Sequence, residues 1–199
     1  LVMYTLIAVG VIMIYSASAV YAEVHYQNPV HFLSRHLISI LIGSVVFVVS
    51  VNLNPDFLRR HSRLLMFTSL LVLLLVFVPF IGRSAGGARR WIQIGFFGFQ
   101  PVEYVKVALC IYLSDYLSRK QTKIAGGSVL VFYVPVAICA LSVLMVLGQP
   151  DLGSGAFLML MTAVLFFLAG IRPLFIIAVV LALIGLLVIL ITAAPYRMS

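Results

Sequence analysis

Two ionisable residues lie three positions apart within an otherwise apolar run, Glu103 and Lys106, in Gln100-Pro101-Val102-Glu103-Tyr104-Val105-Lys106. On a helix this spacing puts both on one face. Charge inside a membrane span is costly, so it faces a bundle interior or a water-filled cavity and finds a partner. A Glu103–Lys106 ion pair lining a polar cavity is therefore expected, in a catalytic or a structural role. The same stretch is a sound helix start, with proline at the first helical position and an acid in the first turn.

Just upstream, residues 83–99 carry Arg83, Arg89, Arg90 and the sole tryptophan, Trp91, in a glycine-rich setting. Guanidinium groups pair bidentately with phosphate and stack on aromatic rings. Trp91 followed by Ile92, Ile94, Phe96, Phe97 and Phe99 suggests an amphipathic or re-entrant piece at a membrane interface. Two readings stay open: a site for an anionic lipid or lipid-linked phosphate, or an interfacial anchor. A third polar spot, Gln149-Pro150-Asp151-Leu152-Gly153-Ser154-Gly155, separates two long oily segments. Asp151 either caps the following helix or aims its carboxylate into the cavity of Glu103.

These residues need elements to hold them, and the composition says which. Of 199 residues, 64% are apolar and 9% charged, with a mean hydropathy of +1.22. A soluble domain has roughly 45–50% apolar and about 25% charged residues, so the solvent of this chain is largely lipid. Seven apolar runs qualify as spans, at 1–16, 37–53, 64–82, 102–118, 128–148, 153–170 and 173–194. In lipid they must be helices, because every backbone group needs an internal partner. The expected class is an all-α polytopic membrane protein, one helical domain over 1–199 with an amphipathic or re-entrant outer segment at 83–101.

The connectors alternate in charge. Arg59, Arg60, Arg63, Arg119, Lys120, Lys123 and Arg172 fall on one side, and Arg35, Arg83, Arg89, Arg90 and Arg197 on the other. The positive-inside rule makes the first set cytoplasmic. The segment 83–101, the loop 16–36 and the turn 148–153 then share the outer face. The net charge of +8 belongs to topology and anionic headgroups, not to nucleic acid. His25, His31 and His36 are too irregularly spaced for a metal site and read as interfacial. Cys110 and Cys139 read as small packing residues. No Gly-x-Ser-x-Gly elbow or P-loop is present. The oily start at Leu1 and the close at Ser199 read as the edges of a piece of a longer protein.

Five stretches, in order, resemble the SEDS family, which contains FtsW, RodA and SpoVE. They are Tyr15-Ser16-Ala17-Ser18, Phe32-Leu33-Ser34-Arg35-His36, Gly87-Ala88-Arg89-Arg90-Trp91-Ile92, Phe99 to Lys106, and Gln149-Pro150-Asp151-Leu152-Gly153-Ser154. The second stretch and Pro195-Tyr196-Arg197-Met198 are closer to the division and sporulation branch. The resemblance implies a ten-helix bundle, of which about seven helices are present here. It implies a peptidoglycan glycosyltransferase that polymerises lipid II outside the bacterial cytoplasmic membrane, in cell division or cell-shape control. Its partners would be a class B penicillin-binding protein and other divisome membrane proteins, within membrane lipids. A divalent cation, Mg or Mn, is the cofactor the family suggests. The alternatives are a lipid II transporter or a non-enzymatic scaffold that recruits the penicillin-binding protein.

On this resemblance the candidate catalytic residues are Glu103, Lys106 and Asp151. The candidate substrate-binding residues are Arg89, Arg90, Trp91 and Gln100. Two departures stand out. The family's Gln-Pro-Ser-Glu is Gln-Pro-Val102-Glu here, and the later outer loop with the family's proposed catalytic aspartate is absent. The fragment is expected to be inactive alone.

Overall fold

The computed structural model describes residues 2–78, 82–85, 88–94 and 97–192. They form eight α-helices and one three-stranded sheet. The chain groups into two compact units, Leu1–Asn54 and Pro55–Ser199.

The first unit is a pair of helices, α1 (Val2–Tyr26) and α2 (His31–Asn52). At about 1.5 Å per residue each is longer than a hydrocarbon core of about 30 Å. The expected loop at 16–36 is thus mostly helix, and only residues 27–30 break it. The polar residues that suggested a loop are accommodated within the helix. Ser18 Oγ donates to the Ile14 carbonyl at 2.6 Å, and His25 Nδ1 lies 3.1 Å from the Tyr21 carbonyl. Hydroxyl groups bonded back one turn satisfy themselves without breaking a helix. His25 stacks on Tyr21 and His31 on Tyr26, as befits interfacial rings.

The second unit holds the candidate site. It runs α3 (Pro55–Leu75), β1 (Gly82–Ala85), β2 (Ala88–Ile94), β3 (Phe97–Phe99), α4 (Pro101–Arg119), a short α5 (Gln121–Ala125), a 3-10 turn (Val129–Phe132), α6 (Tyr133–Gly148), α7 (Leu152–Leu168) and α8 (Pro173–Thr192). Helix α3 starts nine residues before the expected span, because Pro55 and Asp56 supply a proper first turn. Arg59, Arg60 and Arg63 therefore sit on a helix, not in a connector.

Helix α4 packs against α3, α6 and α7. Its Val105, Leu109 and Leu113 are fully buried, against a core that includes Leu73, Val143, Val146, Leu158 and Phe166. In lipid such packing rests on close van der Waals fit and interhelical hydrogen bonds. At Gly155 a Cβ would meet the Leu147 side chain at 3.4 Å, so α7 approaches α6 closely there. Thr162 Oγ1 donates to the Leu158 carbonyl at 2.8 Å and lies 3.2 Å from Cys139 Sγ. Cys139 is buried and unoxidised, and Cys110 is partly buried and also free.

The basic end of the bundle is fastened by one carboxylate. Asp115 is 5% exposed and accepts from Ser62 Oγ on α3 at 2.6 Å. It also pairs with Arg119 at 2.6 Å, one turn on, while Arg59 lies at 4.0 Å. A buried charge is tolerated only when paired and hydrogen-bonded. This carboxylate joins α3 to α4. Asp115→Ala should lower the unfolding free energy of the full-length protein by on the order of 2 kcal/mol, the worth of hydrogen bonds to a charge. Arg59→Ala, at an exposed and distant pair, should change it little. Thermal unfolding in detergent compares the two, and equal losses would contradict the assignment.

Candidate functional site at the amino end of helix α4

The other end of α4 gathers the three polar stretches. Pro101 occupies the first turn of α4 and Gln100 is its N-cap in extended geometry. Upstream, the glycine-rich segment folds as an antiparallel meander, β1-β2-β3. Arg83 pairs with Trp91, and a bulge separates Arg83 from Ser84. Along β2 exposure alternates, with Arg89, Trp91 and Gln93 outward and Arg90 and Ile92 half-buried. The amphipathic character expected here is therefore that of a strand with period two, within the segment 83–101.

Glycine matters at one place in this meander. A Cβ on Gly98 would lie 3.2 Å from Trp91 Cε3, so the indole rests against the neighbouring strand. Its outer edge remains 36% exposed. The two arginines of β2 differ. Arg90 Nη2 donates to the Pro150 carbonyl at 2.7 Å, while its Nε–H is buried without an acceptor. Arg89 is exposed, and its side chain makes no hydrogen bond or ion pair among the described residues. The side chain of Arg83 lies outside the described residues.

Asp151 is the N-cap of α7. Its Oδ1 accepts from the Ser154 N–H at 3.1 Å, and its Oδ2 from Ser154 Oγ at 2.9 Å and Gln100 Nε2 at 3.3 Å. Of the two readings of Asp151, the cap is the one seen in the fold; its other oxygen bonds Ser154 and Gln100, and it makes no bond to Glu103 among the described residues. Gln149 is buried beside it and reaches toward the Leu73 carbonyl at 3.5 Å. The turn 148–153 and the meander thus meet.

Glu103 and Lys106 form the expected pair, with Lys106 Nζ donating to Glu103 Oε1 at 2.7 Å. Their side chains are 57% and 20% exposed. The ammonium also lies 4.9 Å from the centre of the Phe157 ring on α7, a cation–π distance. Phe157 was not singled out from the sequence, and Pro150 and Ser154 were named only as members of the stretch 149–155. For Ser154 a signal existed: Asp151-x-x-Ser154 is the spacing of a capping motif. Tyr104, bonded to Thr68 at 2.8 Å, had none.

Among the described residues the side chains form no ready site for a divalent cation. Glu103 is taken by Lys106, both oxygens of Asp151 are occupied, and no three His, Cys, Asp or Glu residues converge among the described residues.

Comparison with known proteins gives this geometry a context. The chain matches the family model FTSW_RODA_SPOVE, described as cell cycle protein, over residues 1–199. It is 34% identical over 200 residues to a probable peptidoglycan glycosyltransferase FtsW of Trichlorobacter lovleyi, covering 100% of this chain and 52% of the relative. It is 36% identical over 197 residues to the stage V sporulation protein E of Bacillus subtilis, covering 98% of this chain and 53% of the relative. The crystal structure of the rod shape determining protein RodA of Thermus thermophilus superposes with a TM-score of 0.68 at 28% identity, over 90% of this chain and 58% of that one. A structure of a peptidoglycan synthase complex, described as coordinating polymerization and crosslinking, gives 0.66 at 26% identity, over 97% and 55%. The chain spans about half the length of the curated relatives it matches.

The cap assigned to Asp151 can be tested apart from its charge. Asp151→Asn should keep the cap but lose the second acceptor that holds Ser154 Oγ and Gln100, and so cost less stability than alanine in the full-length protein. Asp151→Ala should cost about 1 kcal/mol or more. Thermal unfolding in detergent measures both, and equal losses would argue against a capping role.

Proposed function

The chain belongs to the FTSW_RODA_SPOVE family of cell cycle proteins, and from that premise we propose that it forms part of a peptidoglycan glycosyltransferase. The substrate is lipid II, polymerised at the outer face of the bacterial cytoplasmic membrane. The names of its relatives support the reaction class, and its apolar helices fit a multi-pass membrane protein. The observation that carries the reading is the convergence of β2, the α4 start and the α6–α7 turn through the Arg90–Pro150 and Gln100–Asp151 contacts.

In this reading Arg89 offers its uncommitted guanidinium to the pyrophosphate of the lipid-linked donor, the group such a fork matches. Arg90 has spent one nitrogen on Pro150 and its Nε–H is buried, so it holds the meander to the turn and leaves the anion chiefly to Arg89. Trp91 presents its exposed edge to sugar or lipid. Gln100, fixed by Asp151, orders the α4 start. Glu103 and Lys106 set the polarity of the wall against which the acceptor lies, where preorganised charge acts on developing charge. A class B penicillin-binding protein is the proposed partner, supported by the similarity to the peptidoglycan synthase complex.

Transport of the same lipid needs polar groups along the whole bundle. Between Lys106 and Asp115 the buried face of α4 is Ala108, Leu109, Tyr112 and Leu113, which carries no charge and gives that reading little support.

In the full-length protein, Glu103→Ala should lower polymerisation of purified lipid II by about a hundredfold or more, as for loss of a preorganised electrostatic group. Arg89→Ala should chiefly raise KM for lipid II, whereas Arg90→Ala should also lower thermal stability. Full polymerase activity of Glu103→Ala would overturn the role of the pair. Unchanged KM in Arg89→Ala would overturn the pyrophosphate contact.

A further inference from the structure

At the end of the bundle opposite the candidate site, a cavity of about 520 Å³ opens between α5, the 3-10 turn and the start of α8. Its walls include Ile124, Phe132, Ile171, Leu174 and Phe175, with Arg172 the one charged residue among the lining residues. Phe132 packs on Phe175 at 5.0 Å between ring centres, and on Phe166 at 5.9 Å, so the floor is aromatic and fixed. The volume is that of an ordinary ligand pocket, about 300–1,000 Å³.

We propose that this cavity holds an anionic phospholipid of the cytoplasmic leaflet, its acyl chain against the Phe132–Phe175 floor and its phosphate on Arg172.

Three observations carry this. First, Arg172 is exposed, on the turn that Gly170 reverses with φ +80°, and its side chain makes no ion pair or hydrogen bond among the described residues. Second, the carboxylates described at this end are already engaged. Asp115 is held by Arg119 and Ser62, and Asp56 lies 3.9 Å from Arg59. Third, this is the end that collects Arg59, Arg60, Arg63, Arg119, Lys120 and Lys123, the side facing an anionic leaflet under the positive-inside rule. A soluble phosphate would satisfy Arg172 but leave the apolar walls idle. A neutral lipid would fill the walls but leave the guanidinium unpaired. Only a molecule with both parts uses the whole cavity.

The test uses the full-length protein in nanodiscs containing phosphatidylglycerol or phosphatidylcholine with the same diazirine-bearing acyl chain. Adducts are mapped by peptide mass spectrometry after illumination. Phosphatidylglycerol should label residues 171–178 preferentially. Arg172→Gln should reduce that labelling about fivefold, the worth of one basic residue at an anionic surface, and Arg172→Lys should retain most of it. Because Arg172 is exposed, neither variant threatens folding. Equal labelling by the two lipids would overturn the proposal, as would an unchanged yield in Arg172→Gln. Absence of labelling, as when another part of the full-length chain fills the cavity, would overturn it as well.

Discussion

The carboxylate of Asp151 is the junction on which the candidate site depends. One helix has just ended there and the next begins, with no room for a connector. Four backbone N–H groups at the start of α7 need acceptors, in surroundings where water supplies few. Asp151 meets part of that need with one oxygen and uses the other to hold Ser154 and Gln100. A single side chain thereby closes the α6–α7 turn and brings the start of α4 against it. The meander arrives at the same turn through Arg90 and the Pro150 carbonyl. Segments some fifty and sixty positions apart meet because one acid and one carbonyl have unsatisfied bonding capacity at that point.

Much of this was legible in the residues themselves. The α4 start was, because proline, an acid in the first turn and a lysine one turn deeper constrain each other on a single face. The Glu103–Lys106 contact follows from spacing and from the cost of leaving either charge alone. What was not legible shares a cause. Length and hydropathy register where apolar residues stop, whereas helices stop where backbone partners run out. So α1 runs on through serines and a histidine that bond to its own carbonyls, and α3 begins well before its apolar stretch, at Pro55. The strands of 82–99 were hidden for a related reason. Their glycines and arginines look like loop chemistry, and the period-two alternation from Arg89 to Gln93 is only five residues long.

Three buried hydroxyls of the interior follow one rule. Thr162, Ser142 and Ser69 each return a hydroxyl to a carbonyl of their own helix, so they add no free polarity to the bundle. The charges are confined to its two ends. At one end Asp115 is buried and matched by arginine and serine; at the other Glu103 stays largely open beside Lys106. The same helix thus carries a closed electrostatic joint and an accessible one. The accessible one lies beside the residues that most resemble those of the family.

That distribution has a mechanical consequence. Helix α4 is a rod of about 28 Å pinned at both tips, by Asp115 to Ser62 below and by Gln100 to Asp151 above. Sliding it along its axis, or turning it by even one residue, about 100°, would tear one pin or the other. Pistoning and rolling are therefore closed to it. Among the described residues the meander is tied to its flanks by Arg90 on Pro150, by the Gly82 N–H on the Val78 carbonyl and by the return of β3 into Gln100. The rod is the frame on which the strands are carried.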